Sequence, residues 1–120
     1  MEVKIVKVSF EGIGESVVTF YNGAANKAAA GAPVKMSGNG EVSACGDGEK
    51  FLGVALACDA EFAAVQTEGY VEISFSGTAP AVGFVKLAAD GVGGIKTADG
   101  GRELLLVSVD AVNKSVGFML

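Results

Sequence analysis

Apolar and polar residues alternate with period two along much of this chain, and glycine-bearing turns interrupt the alternation at short intervals. Alternation of that kind places one face of an extended strand in a core and the other in water, so the pattern predicts an all-β fold. Val3 to Phe10 sets Val3, Ile5 and Phe10 against Lys4, Val6 and Val8, a first strand with some burial on both faces. Val17 to Tyr21 is β-branched and aromatic, which suits a pleated surface. Pro33–Ser37 and Glu41–Ala44 flank Gly38-Asn39-Gly40, the clearest hairpin signal, because Asn-Gly accepts positive φ at both turn positions. Phe51–Ala57, Phe62–Thr67 and Gly69–Phe75 read as three further strands, followed by Val85–Ala88, Ile95–Thr97, Leu104–Asp110 and Ser115–Leu120. The closing Val116-Gly117-Phe118-Met119-Leu120 is too apolar for a loose tail and is expected to be tied into a sheet. Only Asn22–Ala32 has helical propensity, and it lacks an apolar stripe bulky enough to dock, so it reads as one short helical turn or as a loop of small residues.

The chain also repeats itself. Val34–Ala60 and Val85–Ala111 align without a gap, each opening Val-Lys-Met or Val-Lys-Leu, turning at Asn39-Gly40 or Asp90-Gly91, and closing on Asp-Ala. Each copy is expected to be a meander of three short strands, and two such units could cover one another's apolar faces. A duplication and the common turn grammar of small β proteins both account for the match.

Composition narrows the architecture. One domain over residues 1–120 is expected, a compact small β-barrel or sandwich of short antiparallel strands. Eighteen alanines and eighteen glycines leave the core to Val, Leu, Ile and seven Phe, so association with another subunit could supply missing burial. A net charge of −5, with the nine basic residues scattered singly, argues against binding nucleic acid or an anionic membrane through bulk electrostatics. The opening Met1-Glu2-Val3-Lys4-Ile5-Val6 does not read as a signal or transit peptide, and no apolar run is long enough to span a bilayer. The expected product is a soluble protein made in a cytoplasm.

Candidate chemistry is sparse. Histidine is absent, which removes Ser-His-Asp catalysis and leaves a thiol nucleophile without its usual base. Cys45 and Cys58 match no metal-ligand spacing, and two free thiols at strand ends or a single disulfide are the open readings. Asp47 with Glu49, and Asp59 with Glu61, could serve a glycosidase or a hard cation, but the same residues build exposed turns. "GDGEKF" and "DGVGGIK" lack the glycine spacing and the following helix that cradle a phosphate. Core packing is the expected role for most aromatics among Phe10, Phe20, Tyr21, Phe62, Tyr70, Phe75 and Phe84, with Tyr21 and Tyr70 the surface candidates. No cofactor and no metal are expected, and no enzyme.

The run "GAPVKMSGNGEVSAC", together with "FLGVALACDAEFAAVQTEGYVEISFSGTAPAVGFVKLAADGVGGIKTA" and "VDAVNKSVGFML", resembles small decoration, or capsid cement, proteins of phage and prophage heads. The resemblance covers roughly residues 31–120, and its motifs are turns and strands rather than chemical sites. It implies a β-rich domain, commonly trimeric, that clamps the outside of an icosahedral shell where capsid subunits meet. The partners implied are the major capsid protein and further copies of the chain, a trimer being favoured. The implied location is the virion, and the host cytoplasm before assembly. Val3, Ile5, Ser76, Thr78, Pro80 and Phe84 are the candidate subunit or capsid contacts, because Met1–Phe10 and Ser76–Phe84 offer an apolar strand and an extended, low-entropy connection. The alternative is a small β-barrel module binding carbohydrate or peptide, for which Tyr21, Tyr70 and a carboxylate would line one cleft.

Overall fold

The computed structural model of the protein describes residues 15–23 and 25–120. The strand expected over Val3–Phe10 lies outside the described residues. Ten strands follow one another with no helix among the described residues: β1 (Ser16–Asn22), β2 (Pro33–Gly38), β3 (Glu41–Ala44), β4 (Gly53–Cys58), β5 (Phe62–Glu68), β6 (Tyr70–Ser74), β7 (Gly83–Ala89), β8 (Ile95–Thr97), β9 (Arg102–Asp110) and β10 (Ser115–Met119). The all-β expectation holds, and residues 25–32 form a loop rather than a helical turn. Asn22 holds that loop: its Oδ1 accepts from the Ala28 N–H at 2.8 Å, and its Nδ2 donates to the Asp59 carbonyl at 3.0 Å. Ala28 is thereby buried without a helix.

The strands form two five-stranded units. The first is a closed barrel in the order β1-β3-β2-β4-β5, closed by β1 and β5 pairing antiparallel and by a parallel β1–β3 contact. The second is a sheet in the order β6-β10-β9-β7-β8, whose two edges meet at an isolated parallel bridge between Phe75 and Ile95. Each strand of one unit has a counterpart in the other, with the same neighbours. Pro33↔Val54 and Val34↔Gly53 in the first unit correspond, 51 residues on, to Phe84↔Leu105 and Val85↔Leu104 in the second. Both long hairpins carry a one-residue bulge at the same place, leaving Leu56 unpaired in β4 and Val107 unpaired in β9. The parallel contact Asn22↔Val42 corresponds to Phe75↔Ile95, 53 residues on. The β5-to-β10 offset is likewise 53, because the loop from Val109 to its partner Val116 is two residues longer than the loop from Cys58 to its partner Ala63. Only the ladder of the short hairpin departs: Met36 faces Val42, whereas its counterpart Leu87 faces Thr97 rather than Ile95.

The repeat is therefore a five-stranded unit, larger than the three-stranded meander expected from the sequence. Within it the strand order also differs from a meander, because β2 lies between β3 and β4 and pairs with both. The physical reason is the connection after β3, which leaves the barrel before returning on the far side of β2. Its Phe51, expected to begin a strand, precedes β4 and enters the second unit instead, 6.1 Å from Phe118 between ring centroids.

Matched inward positions carry different sizes of side chain. Ala55, Ala63 and Val65 fill the first barrel together with Ala28, Val34 and Val42. Their counterparts in the second are Leu106, Val116 and Phe118, which pack with Val71, Ile73, Phe75, Leu87, Ile95 and Leu104. Phe51 and Val54 of the first unit belong to this larger cluster, so the second core extends across the junction. Burial of aromatic and branched side chains is the main favourable term in folding, and most of it here lies in and under the second unit.

Candidate interaction surface

Alternation along β6, β10, β9 and β7 turns one set of side chains away from the second core. Register aligns Phe84, Leu105, Met119 and Tyr70 in a single row across those four strands. Phe84 and Leu105 are exposed, as is Val82 just before β7. A polar rim borders the row. Glu72, Gly117 and Ser108 form the next row on one side, where the Tyr70 hydroxyl donates to Glu72 Oε2 at 3.0 Å and lies 3.4 Å from Ser108 Oγ. Lys86 and Glu103 are cross-strand neighbours on the other side. An apolar centre with a polar rim is the anatomy of a protein contact surface.

The segment leading to this row is anchored at one end. Ser76 Oγ donates to Asp90 Oδ2 at 2.5 Å, and the Ser76 N–H donates to the Ile95 carbonyl at 2.9 Å. Asp90 Oδ1 also accepts from the backbone N–H groups of Val92 and Gly94. Burial would raise the Asp90 carboxyl, but the hydrogen bonds from Ser76, Val92 and Gly94 outweigh it and hold the group below its ordinary range. Ser76, Gly77 and Thr78 line an open polar pocket with Asp47, Asp90, Lys96 and Thr97, and Asp47 pairs with Lys96 at 2.8 Å. Of the sequence-derived contact residues, Thr78 and Phe84 are exposed, Ser76 is half-buried and Pro80 is buried. A contact through this stretch therefore runs over Thr78, Val82 and Phe84. Val3 and Ile5 lie outside the described residues.

Other candidates separate in space. Tyr21 stacks on Phe62 on the outside of the first barrel, with ring centroids 5.5 Å apart, while Tyr70 lies on the second unit. Phe62 and Phe84 are both exposed, which for Phe62 corrects the core role expected of most aromatics; Phe84 is also one of the candidate contact residues. They sit on outward positions of their strands, and alternation alone does not say which face a short strand turns inward. Asp59 and Glu49 serve turns: Asp59 Oδ1 accepts from Glu61 and Phe62 N–H groups, and Glu49 accepts from Lys35 Nζ and the Gly46 N–H. Among the described residues no three His, Cys, Asp or Glu side chains gather as a metal site. The cysteines are both free thiols, and burial pushes Cys45 up to about 11.

No protein-family model matches the chain, and no curated protein matches it significantly.

Proposed function

We propose that the chain is a structural protein of a phage or prophage head that decorates the outside of the shell and stabilises it. The observation that carries the reading is the exposure of Thr78, Val82 and Phe84 on a segment anchored through Ser76 and Asp90 and ending on the apolar row at Phe84. A short connection pinned at one end loses little conformational entropy when a partner covers it. The resemblance of residues 31–120 to head decoration proteins gives that surface its partner, the major capsid protein. Repeated weak contacts on a symmetric shell would gain strength through effective concentration rather than through any single strong site.

The test is co-production with the major capsid protein of the phage or prophage that carries this chain, followed by gradient sedimentation of the assembled heads. The expected result is co-sedimentation at a fixed copy number, reduced at least tenfold by Val82→Asp. Heads that sediment without the chain would overturn the reading.

The second reading, a carbohydrate- or peptide-binding module, rests on the exposed Tyr21–Phe62 stack, a ready platform for a sugar ring. Placement of Tyr21 and Tyr70 on different units removes the shared cleft that this reading required. A glycan array that responds to Tyr21→Ala would favour it over the shell.

A further inference from the structure

The two units present the same two surfaces, and the chain uses only one of each. The first surface is a side row: Pro33, Val54 and Gln66 in the first barrel, matched by Phe84, Leu105 and Met119 in the second. In the first barrel these three positions are covered, while Val17, the counterpart of Tyr70, is exposed. Val54 is 4% exposed and packs in the second unit's cluster, Pro33 is buried, and Gln66 Nε2 donates to the Tyr70 carbonyl of the second unit at 3.0 Å. In the second unit the same row is uncovered, with Phe84 74% and Leu105 39% exposed.

The second surface is a barrel end, marked by Val71 and Leu87 in the second unit and by their counterparts Val18 and Met36 in the first. Here the situation reverses. Val71 and Leu87 are 6% and 0% exposed within the cluster that Phe51 and Val54 complete. Val18 and Met36, on inward positions opposite the core residues Val65 and Val42, are 42% and 48% exposed. The contact inside the chain thus joins the side of unit one to the end of unit two. It leaves free the side of unit two and the end of unit one.

We infer that copies of this chain associate head to tail, the Phe84–Leu105–Met119 row of one copy covering the Val18–Met36 end of the next. The occupant is a second copy because the chain already contains this pairing once, between its own halves. Side-chain size supports it: Phe84 and Leu105 stand where the first unit has Pro33 and Val54, so the free row is the more apolar of the two. One element is not repeated: Arg102 occupies the place of Phe51, so the contact between copies has no aromatic plug and is weaker than the contact within the chain. Contacts of this kind use different patches on the two partners, and they close into rings or run on as filaments. The inference rests on the two units alone and does not need the shell.

Phe84→Asp and Met36→Asp each destroy one of the two patches, at exposed positions that leave the folded cores intact. Sedimentation velocity over a hundredfold concentration range should show self-association of the parent chain and monomers for each variant, with far-ultraviolet circular dichroism unchanged. An equimolar mixture of the two variants should form a one-to-one dimer, because each retains the patch the other has lost. A parent chain that stays monomeric throughout overturns the inference. So does a mixture that stays monomeric, and so does a Met36→Asp variant that self-associates as well as the parent, which would place the row against itself. Loss of shell binding by Val82→Asp with self-association intact would bear only on the proposed function.

Discussion

Asp59 and Asp110, 51 residues apart, begin the matched turns of the two halves with the same pair of hydrogen bonds. Each ends the ascending arm of a bulged hairpin, and each accepts through Oδ1 from the backbone N–H groups two and three residues ahead. These hydrogen bonds favour the ionised carboxylate, and both groups lie below the usual range, Asp59 through Phe62 and Glu61, Asp110 through the backbone and side chain of Asn113.

Acid should unfold the protein through these turns and through Asp90. In each case the carboxyl ionises at lower pH in the folded chain than in the unfolded one, so the unfolded chain binds more protons in the window between. Their stabilisation is complete above the ordinary carboxylate range near pH 4 and is lost as pH falls through the folded values. Thermal melts from pH 7 to pH 2 should show a falling midpoint below about pH 4. The Asp90→Asn variant should melt lower at pH 7 and show a shallower fall. An unchanged slope in that variant would remove Asp90 from the account.

Phe51→Ala should cost about 3–5 kcal/mol, the range for deleting a buried aromatic side chain. Phe51 is 1% exposed and is supplied by the first unit to the second core, so its loss weakens the junction as well as the packing. Chemical denaturation reads the difference. Two resolved transitions in the variant, where the parent shows one, would mean that Phe51 couples the units.

Transplanting a core residue between the units should fail in the first barrel. Ala55→Leu copies the residue found at the matched position, Leu106, into a barrel lined by Ala28, Ala63, Val34, Val42 and Val65. Overpacking of about 1–3 kcal/mol is expected. The reverse change, Leu106→Ala, opens a cavity in the larger core and should cost about 2–5 kcal/mol. A stabilised Ala55→Leu would show that the first barrel holds spare volume.

Gly117→Ala tests the outer face. A Cβ at Gly117 would meet the Tyr70 hydroxyl and ring and would lie 2.9 Å from Ser108 Oγ. The variant should be destabilised by about 1–3 kcal/mol. Adding Tyr70→Ala should recover part of that loss, measured as a non-additive double-mutant cycle. Full additivity would place the strain elsewhere.

Much of the strand pattern was legible because alternation and turn residues are local. Asn39-Gly40 marked the β2–β3 turn, where Gly40 takes φ +66°, and Ile95–Thr97 emerged with its bounds unchanged. The bulges at Leu56 and Val107 were not legible. In β9 the extra residue at Val107 lets Leu104, Leu106 and Val109 all pack toward the core, although strict alternation would put Val109 on the opposite face from Leu106. Nor could local signals distinguish the settings of Phe51, Phe84 and Phe118, three phenylalanines that become a plug, an exposed outer-face residue and a core residue.

The sequence by itself determined that this protein is built of short strands and that its two halves share a grammar. Backbone preferences act between near neighbours, and a hairpin turn or an Asp-capped loop is complete within a few residues. Only the tertiary structure decided that the repeat has five strands, that β2 lies between β3 and β4, and that the first half covers the second half's open end while the second half's side row stays bare. Those outcomes depend on which apolar surfaces meet across dozens of residues. Burial is non-directional, so the choice is made by the packed whole rather than by any local stretch of chain.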